Sequence, residues 1–291
     1  MLKHVWAVLR ELKLPGADSP ARYNITIGTG NAMAIGVYPD SGGFLLVKAS
    51  EIDDLTREYN AQLRGWDQYR ELVPQPLGYR VREGWHIIVT QGVRHAAFPF
   101  NALAGAIPNQ SVVDDLFRYF EICTQHKATR SGATPQREFL TTLELYFADS
   151  PYADVAGYWI GQGRLLGMET LDQVTQHGDF TQNNLAISGG RLVIFDWEDF
   201  GKYQLPGLDI CSLCASLTPD AAALRDLMRA GRAPDQPMEA FLRRACTLCE
   251  LDPEVLRRLL PLYLLVFLYV KREYGYAAQN RIGALVRQLT P

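Results

Sequence analysis

The chain has 291 residues, of which 47% are hydrophobic and 21% are charged, and its formal net charge is −3. This composition is typical of a globular protein with a sizeable core, and the length leaves room for one large domain or two lobes. The slight acidic excess argues against nucleic acid as a partner, because nucleic-acid-binding domains carry a basic stripe.

The sequence shows neither a signal-peptide pattern at its start nor a membrane-spanning stretch. The first sixteen residues are amphipathic and charged throughout, and they lack the apolar run and cleavage site of a signal peptide. The most apolar stretch, 259–270, is too short to span a bilayer and contains Pro261, so it predicts a buried helix. We therefore expect a cytoplasmic protein without a membrane span.

Strand-type sequence dominates from residue 22 to residue 93. Runs rich in β-branched and aromatic residues alternate with turn clusters of Gly, Pro and Asp, which is typical of antiparallel strands. Apolar residues at helical spacing predict a helix from about Ile52 to Leu72. The predicted strands are 23–27, 34–38, 44–47, 77–82 and 85–90.

Helical patterns dominate after Gly92. They predict helices at 111–127, with Ser111 as the N-cap, at 135–148, at 152–167 and from Leu208 to the end. One β-type island interrupts them, because two short runs around Gly189-Gly190 predict a hairpin at 184–195. The predicted organisation is an N-lobe at 1–93, ending in a linker at 90–93, and a C-lobe at 94–291.

Polar residues flank this hairpin in a specific pattern. His177-Gly178-Asp179 precedes it, Asn184 follows Asp179 by five residues, and Asp196 ends its second strand. Each of these residues alone would be an ordinary turn residue, since Asp and Asn favour turns. Their combined spacing, after a β-rich and then helical chain, points instead to a functional loop.

The pattern HGDxxxxN, followed twelve residues later by an Asp, resembles the catalytic loop and metal-binding Asp of the aminoglycoside phosphotransferase family. That family shares its fold with choline kinases and eukaryotic protein kinases. The resemblance extends from about Arg22 to Leu217. It implies an α+β, bilobal protein-kinase-like fold, with a small β-rich N-lobe and a larger, mainly helical C-lobe containing the catalytic hairpin. It also implies ATP-dependent transfer of the γ-phosphate to a hydroxyl of a small molecule.

The residue types suit this chemistry. Phosphoryl transfer needs a carboxylate that orients the attacking hydroxyl and accepts its proton, together with cations over the phosphates. Asp179 is the predicted carboxylate. Asn184 and Asp196 are the predicted ligands of Mg²⁺, which prefers hard oxygen donors.

Three further residues of this region have predicted supporting roles. His177 is expected to brace the loop backbone rather than act as a base. Asp209 is expected to tie the segment after Asp196 to the loop. Glu198 is interpreted either as a contact of a second metal ion or as a solvated or hydrogen-bonded structural residue.

The N-lobe offers candidates for nucleotide binding. Lys48 and Glu58 are predicted to form the Lys–Glu pair that the family uses at the α- and β-phosphates, with Glu51 as the alternative acid. A Gly-rich turn between two strands brings backbone N–H groups close to phosphates. That turn consists of Gly28, Thr29, Gly30 and Asn31.

The predicted hinge, with Thr90 and Gly92, would recognise adenine through its backbone, so the sequence does not separate ATP from GTP.

Several features bear on the acceptor. Gly178 stands where protein kinases have Arg, and only about a dozen residues separate Asp196 from the next helical stretch, which argues against a protein substrate. From residue 201 to 291 there are twelve Lys and Arg against nine Asp and Glu, which favours a neutral or anionic acceptor such as a sugar or sugar derivative over a polycation.

Two alternatives to a sugar kinase stay open. One is an aminoglycoside antibiotic kinase. The other is a catalytically inactive nucleotide-binding scaffold, which is disfavoured because Lys48, Asp179 and Asp196 are all retained.

The chain also has two CxxC pairs, Cys211/Cys214 and Cys246/Cys249. Such pairs can bind zinc, but both lie in apolar, helix-like sequence, where free Cys packs as a small hydrophobic residue. Buried reduced thiols are the favoured interpretation and a zinc site is the alternative. The unpaired Cys123 fits a reducing compartment.

Overall fold

The computed structural model describes residues 1–14, 22–27, 31–39, 43–99, 109–128, 135–218, 220–229, 237–270 and 276–291. The chain forms two compact units. The first comprises 1–97 and 184–200, and the second comprises 98–183 and 201–291. The predicted α+β class, with a strand-rich first part and a helical second part, is confirmed.

The first unit is built on a five-stranded antiparallel sheet with strand order β1-β2-β3-β5-β4. Its strands are β1 (Arg22–Ile27), β2 (Met33–Tyr38), β3 (Leu45–Ser50), β4 (Pro76–Arg82) and β5 (Trp85–Gln91). Helix α1 (Leu2–Glu11) buries Val5, Val8 and Leu9, which share one face at helical spacing. These side chains join the core formed by alternate residues of the strands, such as Ile35 and Val47.

Helix α2 (Thr56–Tyr69) begins four residues later than predicted. Residues 50–53 form a turn instead, because the Ser50 hydroxyl accepts hydrogen bonds from the backbone N–H groups of Ile52 and Asp53 at 3.3 and 2.9 Å. Asp54 then accepts a bond from the Thr56 N–H at 2.9 Å. Such local side-chain bonds compete with the helical backbone pattern, so the helix starts only after them.

The hairpin groups with the first unit. Its strands are β9 (Leu185–Ser188) and β10 (Arg191–Ile194), and β9 also pairs with β6 (Ala96–Ala97). The Ile194 N–H donates to the Leu72 carbonyl at 2.7 Å, and the Trp197 ring lies 5.3 Å from that of Tyr69 on α2. These long-range contacts account for the grouping and carry no local sequence signal.

The second unit consists mainly of helices. They are α3 (Gln110–Gln125), α4 (Pro135–Phe147), α5 (Ala153–Leu165), α6 (Leu208–Ser216), α7 (Ala221–Met228), α8 (Pro237–Leu248), α9 (Pro253–Val270) and α10 (Tyr276–Leu289). A two-residue strand pair joins them, β7 (Lys127–Ala128) with β8 (Gln173–Val174). The N-cap of α3 is Asn109, whose side chain accepts from the Ser111 N–H, and not Ser111 as predicted.

Helix α9 is buried along most of its length, as predicted for 259–270. In the part of the chain that the structure describes, no helix is both long enough and apolar enough to cross a bilayer.

The cysteines lie in this helical core as free thiols. Four of the five are buried, and Cys249 is half-buried, as the favoured interpretation predicts. Burial raises the pKa of Cys214 to about 12, so its thiol is not reactive at neutral pH. Over the described ranges, no three His, Cys, Asp or Glu side chains are grouped as a metal site, so the zinc alternative gains no support.

Two helical glycines, Gly65 in α2 and Gly157 in α5, allow the packing of α2 against Trp197 to be tested. A Cβ at Gly65 in α2 would lie 2.5 Å from the Trp197 ring, whereas a Cβ at Gly157 in α5 would meet nothing within 4 Å. Overpacking costs about 1–3 kcal/mol, and Ala gains roughly 1 kcal/mol over Gly in a helix. We expect Gly65→Ala to lower the free energy of unfolding and Gly157→Ala to raise it, as measured by urea denaturation. Equal effects of the two substitutions would contradict the close packing of α2 against Trp197.

Candidate active site

An ion pair in the first unit joins the central sheet to α2. Strand β3 carries Lys48, and α2 carries Glu58, whose carboxylate lies 2.7 Å from the Lys48 amino group. Glu51, the alternative acid, is exposed. A second carboxylate, that of Glu198, lies 3.8 Å from the same amino group.

The charges around Lys48 are unbalanced. The carboxylates of Glu58, Glu198 and Asp196 all act on one ammonium group. Burial by itself lowers the pKa of Lys48, but these carboxylates outweigh it and hold the pKa above its ordinary value. Burial raises the pKa of Glu58, and the neighbouring carboxylates raise it further. The raised pKa of Lys48 reflects an excess of negative charge around its ammonium, which a bound cation would relieve.

The hairpin brings Asn184 and Asp196 together. Asn184 immediately precedes β9 and Asp196 follows shortly after β10, and the Phe195 N–H donates to the Asn184 carbonyl at 2.8 Å. Asp196 has left-handed backbone dihedrals, φ 59° and ψ 62°. Non-glycine residues adopt this region at a cost, and such strain concentrates at functional sites. The Trp197 indole N–H donates to the Ile194 carbonyl at 2.8 Å and fixes the turn.

The chemistry of three side chains fits a hard divalent cation. Asp196 and Glu198 carry carboxylate oxygens and Asn184 carries an amide oxygen, and all three lie in the first unit. Mg²⁺ is usually held by one or two carboxylates together with phosphate oxygens and water. A larger cluster of protein acids is therefore unnecessary.

The predicted catalytic loop lies in the second unit up to residue 183 and is held by a buried carboxylate. Asp209, in the first turn of α6, accepts hydrogen bonds from the backbone N–H groups of His177 and Gly178 at 2.8 and 3.0 Å. It also accepts the Tyr119 hydroxyl from α3. Burial raises the pKa of Asp209, although these hydrogen bonds act in the opposite direction. The contacts match the predicted tie between this segment and the loop.

His177 and Asp179 occupy different positions within that loop. The His177 ring is fully buried, and its Nδ1 accepts a bond from the Asp179 N–H at 3.2 Å. This is the bracing contact that the sequence predicted for His177. Asp179 retains 8% exposure. The next residue, Phe180, stacks on Tyr119 with ring centres 4.3 Å apart, so the loop is fixed by packing on both sides of Asp179.

The remaining residues that the sequence predicts to contact the nucleotide are those of the Gly-rich turn and of the hinge. Gly28, Thr29 and Gly30 lie outside the described residues. Asn31 is described, and its side-chain amide donates to Asp53 at 3.2 Å. At the predicted hinge, Thr90 is buried at the end of β5 and the Gly92 N–H donates to the Phe44 carbonyl at 2.7 Å.

A side chain at Gly92 would collide with the Phe44 ring, 2.2 Å from an added Cβ. The close approach of these two segments therefore requires glycine at this position.

Sequence reasoning missed Tyr119 and left the role of Glu198 open. Tyr119 lies on the apolar face of α3, and an aromatic residue at such a position is normally interpreted as part of the hydrophobic core. Its hydroxyl donates to Asp209 and accepts from the His177 N–H at 2.8 Å, and both partners are far away in the sequence. Glu198 lies two residues after Asp196, but the sequence does not reveal that its carboxylate is close to Lys48.

Comparison with known proteins gives the class. Residues 131–244, which include the catalytic loop, Asp196 and Asp209, match the model of the phosphotransferase enzyme family called APH. No curated protein sequence matches the chain. The predicted resemblance is confirmed by this match.

Solved structures share the fold over nearly the whole chain. Choline kinase LicA from Streptococcus pneumoniae has a TM-score of 0.64 at 15% identity, covering 98% of this chain and 99% of its own. A putative fructosamine-3-kinase from Thermobifida fusca has a TM-score of 0.62 at 15% identity, covering 98% of both chains. Aminoglycoside phosphotransferase APH(4)-Ia has a TM-score of 0.61 at 15% identity, also with 98% of both.

The family match covers the central part of the chain, and the solved structures show that the chain has the fold shared by these small-molecule kinases.

Proposed function

We propose that the protein transfers the γ-phosphate of ATP to a hydroxyl group of a small molecule. The observation that supports this most is the Lys48–Glu58 ion pair beside Asp196 and Glu198. An ammonium surrounded by acids is suited to bind a triphosphate together with a divalent cation. Complexes of APH(4)-Ia variants contain ADP or AMP-PNP, which favours ATP as the donor here.

In this proposal, residues of the first unit hold the donor. Lys48 contacts the α- and β-phosphates, and Glu58 keeps its ammonium in position. Asn184 and Asp196 hold Mg²⁺, with Glu198 as a further oxygen donor. When bound, the metal neutralises charge that develops on the phosphate oxygens. Gly28, Thr29, Gly30 and Asn31 cover the phosphates, and the backbone from Thr90 to Gly92 contacts adenine.

Asp179 acts on the acceptor. Its carboxylate accepts a hydrogen bond from the acceptor hydroxyl, orients that oxygen toward the γ-phosphorus and takes up the proton as the new P–O bond forms. The bond between the γ-phosphorus and the β,γ-bridging oxygen breaks, and ADP leaves. His177 and Asp209 position the loop, because they bind its backbone rather than the substrate.

The acceptor that we favour is a neutral or anionic hydroxyl compound such as a sugar or sugar derivative. The excess of basic side chains between residues 201 and 291 supports this preference, since a polycation would be repelled. An aminoglycoside kinase is the second candidate, because APH(4)-Ia binds hygromycin B in its crystal structures. An inactive nucleotide-binding scaffold would bind ATP without transfer.

The metal assignment predicts a difference between two substitutions. Asp196→Ala should abolish the increase in melting temperature caused by ATP and Mg²⁺, because ligand stabilisation depends on occupancy of the native state. Lys48→Ala should reduce this increase less, since the metal ligands remain. Differential scanning fluorimetry with and without Mg²⁺ measures both. An unchanged increase in the Asp196→Ala protein would show that Asp196 is not a metal ligand.

The base assignment predicts a separate effect on turnover. Asp179→Asn should lower kcat by about 10²–10⁴-fold, the usual contribution of an acid–base group. The thermal shift with ATP and Mg²⁺ should stay as in the wild type, because Asp179 does not hold the donor in this proposal. A coupled ADP-release assay measures the rate. Near-wild-type turnover would remove Asp179 from this role.

A further inference from the structure

Four buried side-chain polar atoms in the second unit have no hydrogen-bond partner among the described residues, and two of them belong to the ion-paired Glu239 and Arg257. The other two belong to uncharged side chains and are Nε2 of Gln136, in the first turn of α4, and the hydroxyl of Tyr203. The two side chains are 5% and 7% exposed. A buried polar group without a partner costs about as much as a lost hydrogen bond, and native proteins contain few of them. Each therefore calls for an explanation.

An aromatic cluster links the two residues. Phe139 follows Gln136 by three residues, so the two share a face of α4. The Phe139 ring lies 6.2 Å from the Tyr203 ring and 6.1 Å from the Tyr269 ring on α9. Tyr146, one further residue of α4, lies 5.0 Å from Tyr269 and is partly exposed. The cluster therefore combines apolar ring surfaces with two unpaired polar atoms.

Tyr203 is also fixed beside the start of the catalytic loop. The Gln176 side-chain amide donates to the Tyr203 carbonyl at 3.2 Å, and the Gly201 N–H donates to the Gln176 carbonyl at 2.9 Å. Gln176 directly precedes His177. Asp179 follows Gln176 by three residues, which span at most about 10 Å. The unpaired hydroxyl thus belongs to a residue anchored next to the segment that carries the proposed base.

We propose that this cluster, defined by Gln136, Phe139, Tyr203 and Tyr269, is the acceptor subsite, and that its ligand is a neutral polyhydroxylated molecule of the sugar class. The Gln136 amide and the Tyr203 hydroxyl hydrogen-bond to hydroxyl groups of the acceptor, while the rings pack against its C–H surface. Small-molecule sites combine such apolar lining with a few polar groups that fix orientation. This inference rests on the proposed kinase function.

The local charges disfavour a cationic acceptor. The Lys202 ammonium lies 5.1 Å from the centre of the Tyr203 ring, where it already occupies the attractive position for a cation over an aromatic face. The two unpaired polar atoms belong to uncharged side chains. Two carboxylates on or near α4 are paired with arginines, since Glu169 pairs with Arg137 of α4 at 3.3 Å and Glu144 of α4 pairs with Arg164 of α5 at 2.7 Å.

The test deletes single polar groups. In Tyr203→Phe only the hydroxyl is lost, and Gln136→Leu replaces the amide by an apolar group of similar size. Tyr158→Phe is the matched control, because Tyr158 is 42% exposed on α5 of the same unit. The probes are neutral hexoses (glucose, galactose and fructose), choline as a single cation and kanamycin as a polycation, each with ATP and Mg²⁺.

We expect the wild type to phosphorylate at least one hexose with a higher kcat/KM than either cation. Each of the two substitutions should raise the KM for that hexose by about 3- to 10-fold, the value of one hydrogen bond. The KM for ATP should stay unchanged and the melting temperature should not fall, because the loss of a buried polar group without a partner removes a cost to folding. Tyr158→Phe should behave as the wild type.

Preference for choline or kanamycin, or turnover of no hexose, would overturn the assigned ligand class. An unchanged KM for the hexose, whether or not the melting temperature falls, would show that the cluster is only structural. Failure of the kinase proposal gives a different result, in which neither a thermal shift with ATP and Mg²⁺ nor any acceptor-dependent ADP release is observed.

Discussion

The geometry of the first unit depends on the position of one ammonium group. Lys48 lies on a central strand of the sheet, and its contact with Glu58 fixes α2 against that strand. The same ammonium is close to Glu198, in the turn after the hairpin. A partly buried charge must be compensated, so sheet, helix and hairpin turn are connected through one interaction. In the proposed function, the excess of acid around it would attract a metal–nucleotide complex.

A second buried charge organises the loop in the other unit. The Asp209 carboxylate accepts two backbone N–H groups and a tyrosine hydroxyl, and its position on α6 determines where the loop lies. The ring of Phe180 packs on that same tyrosine. Asp179 is therefore carried by a segment whose backbone and neighbouring side chains are both fixed. Such rigid support is what positioning of a reacting group requires.

The sequence predicted the parts of the fold that have strong local signals. The five strands of the sheet, the helical second part and the hairpin follow from residue periodicity and turn residues, with boundaries displaced by a few residues. The start of α2 was misplaced because Ser50 and Asp54 form local hydrogen bonds that periodicity does not detect. The assignment of the hairpin to the first unit depends on β6 and Trp197, whose partners are far away in sequence.

The site was predictable only where residue spacing carries the information. The spacing of His177, Asp179, Asn184 and Asp196 along the chain is sufficient by itself to indicate a phosphotransferase. Tyr119 gave no such signal, because aromatic residues on a helix face usually belong to the core. Nothing in the sequence indicated a role for Gln136 or Tyr203 either. Their unpaired polar atoms are recognised only when the burial and hydrogen bonding of each atom are known.

Transfer of phosphate from ATP to a hydroxyl group of a small molecule is tested most directly by ³¹P NMR of the products formed from ATP, Mg²⁺ and a neutral hexose. We predict a phosphomonoester signal on the sugar that accumulates in step with ADP in the wild-type reaction. Orthophosphate as the only new phosphorus product, released at the same rate with and without acceptors of every class, would contradict the proposed transfer.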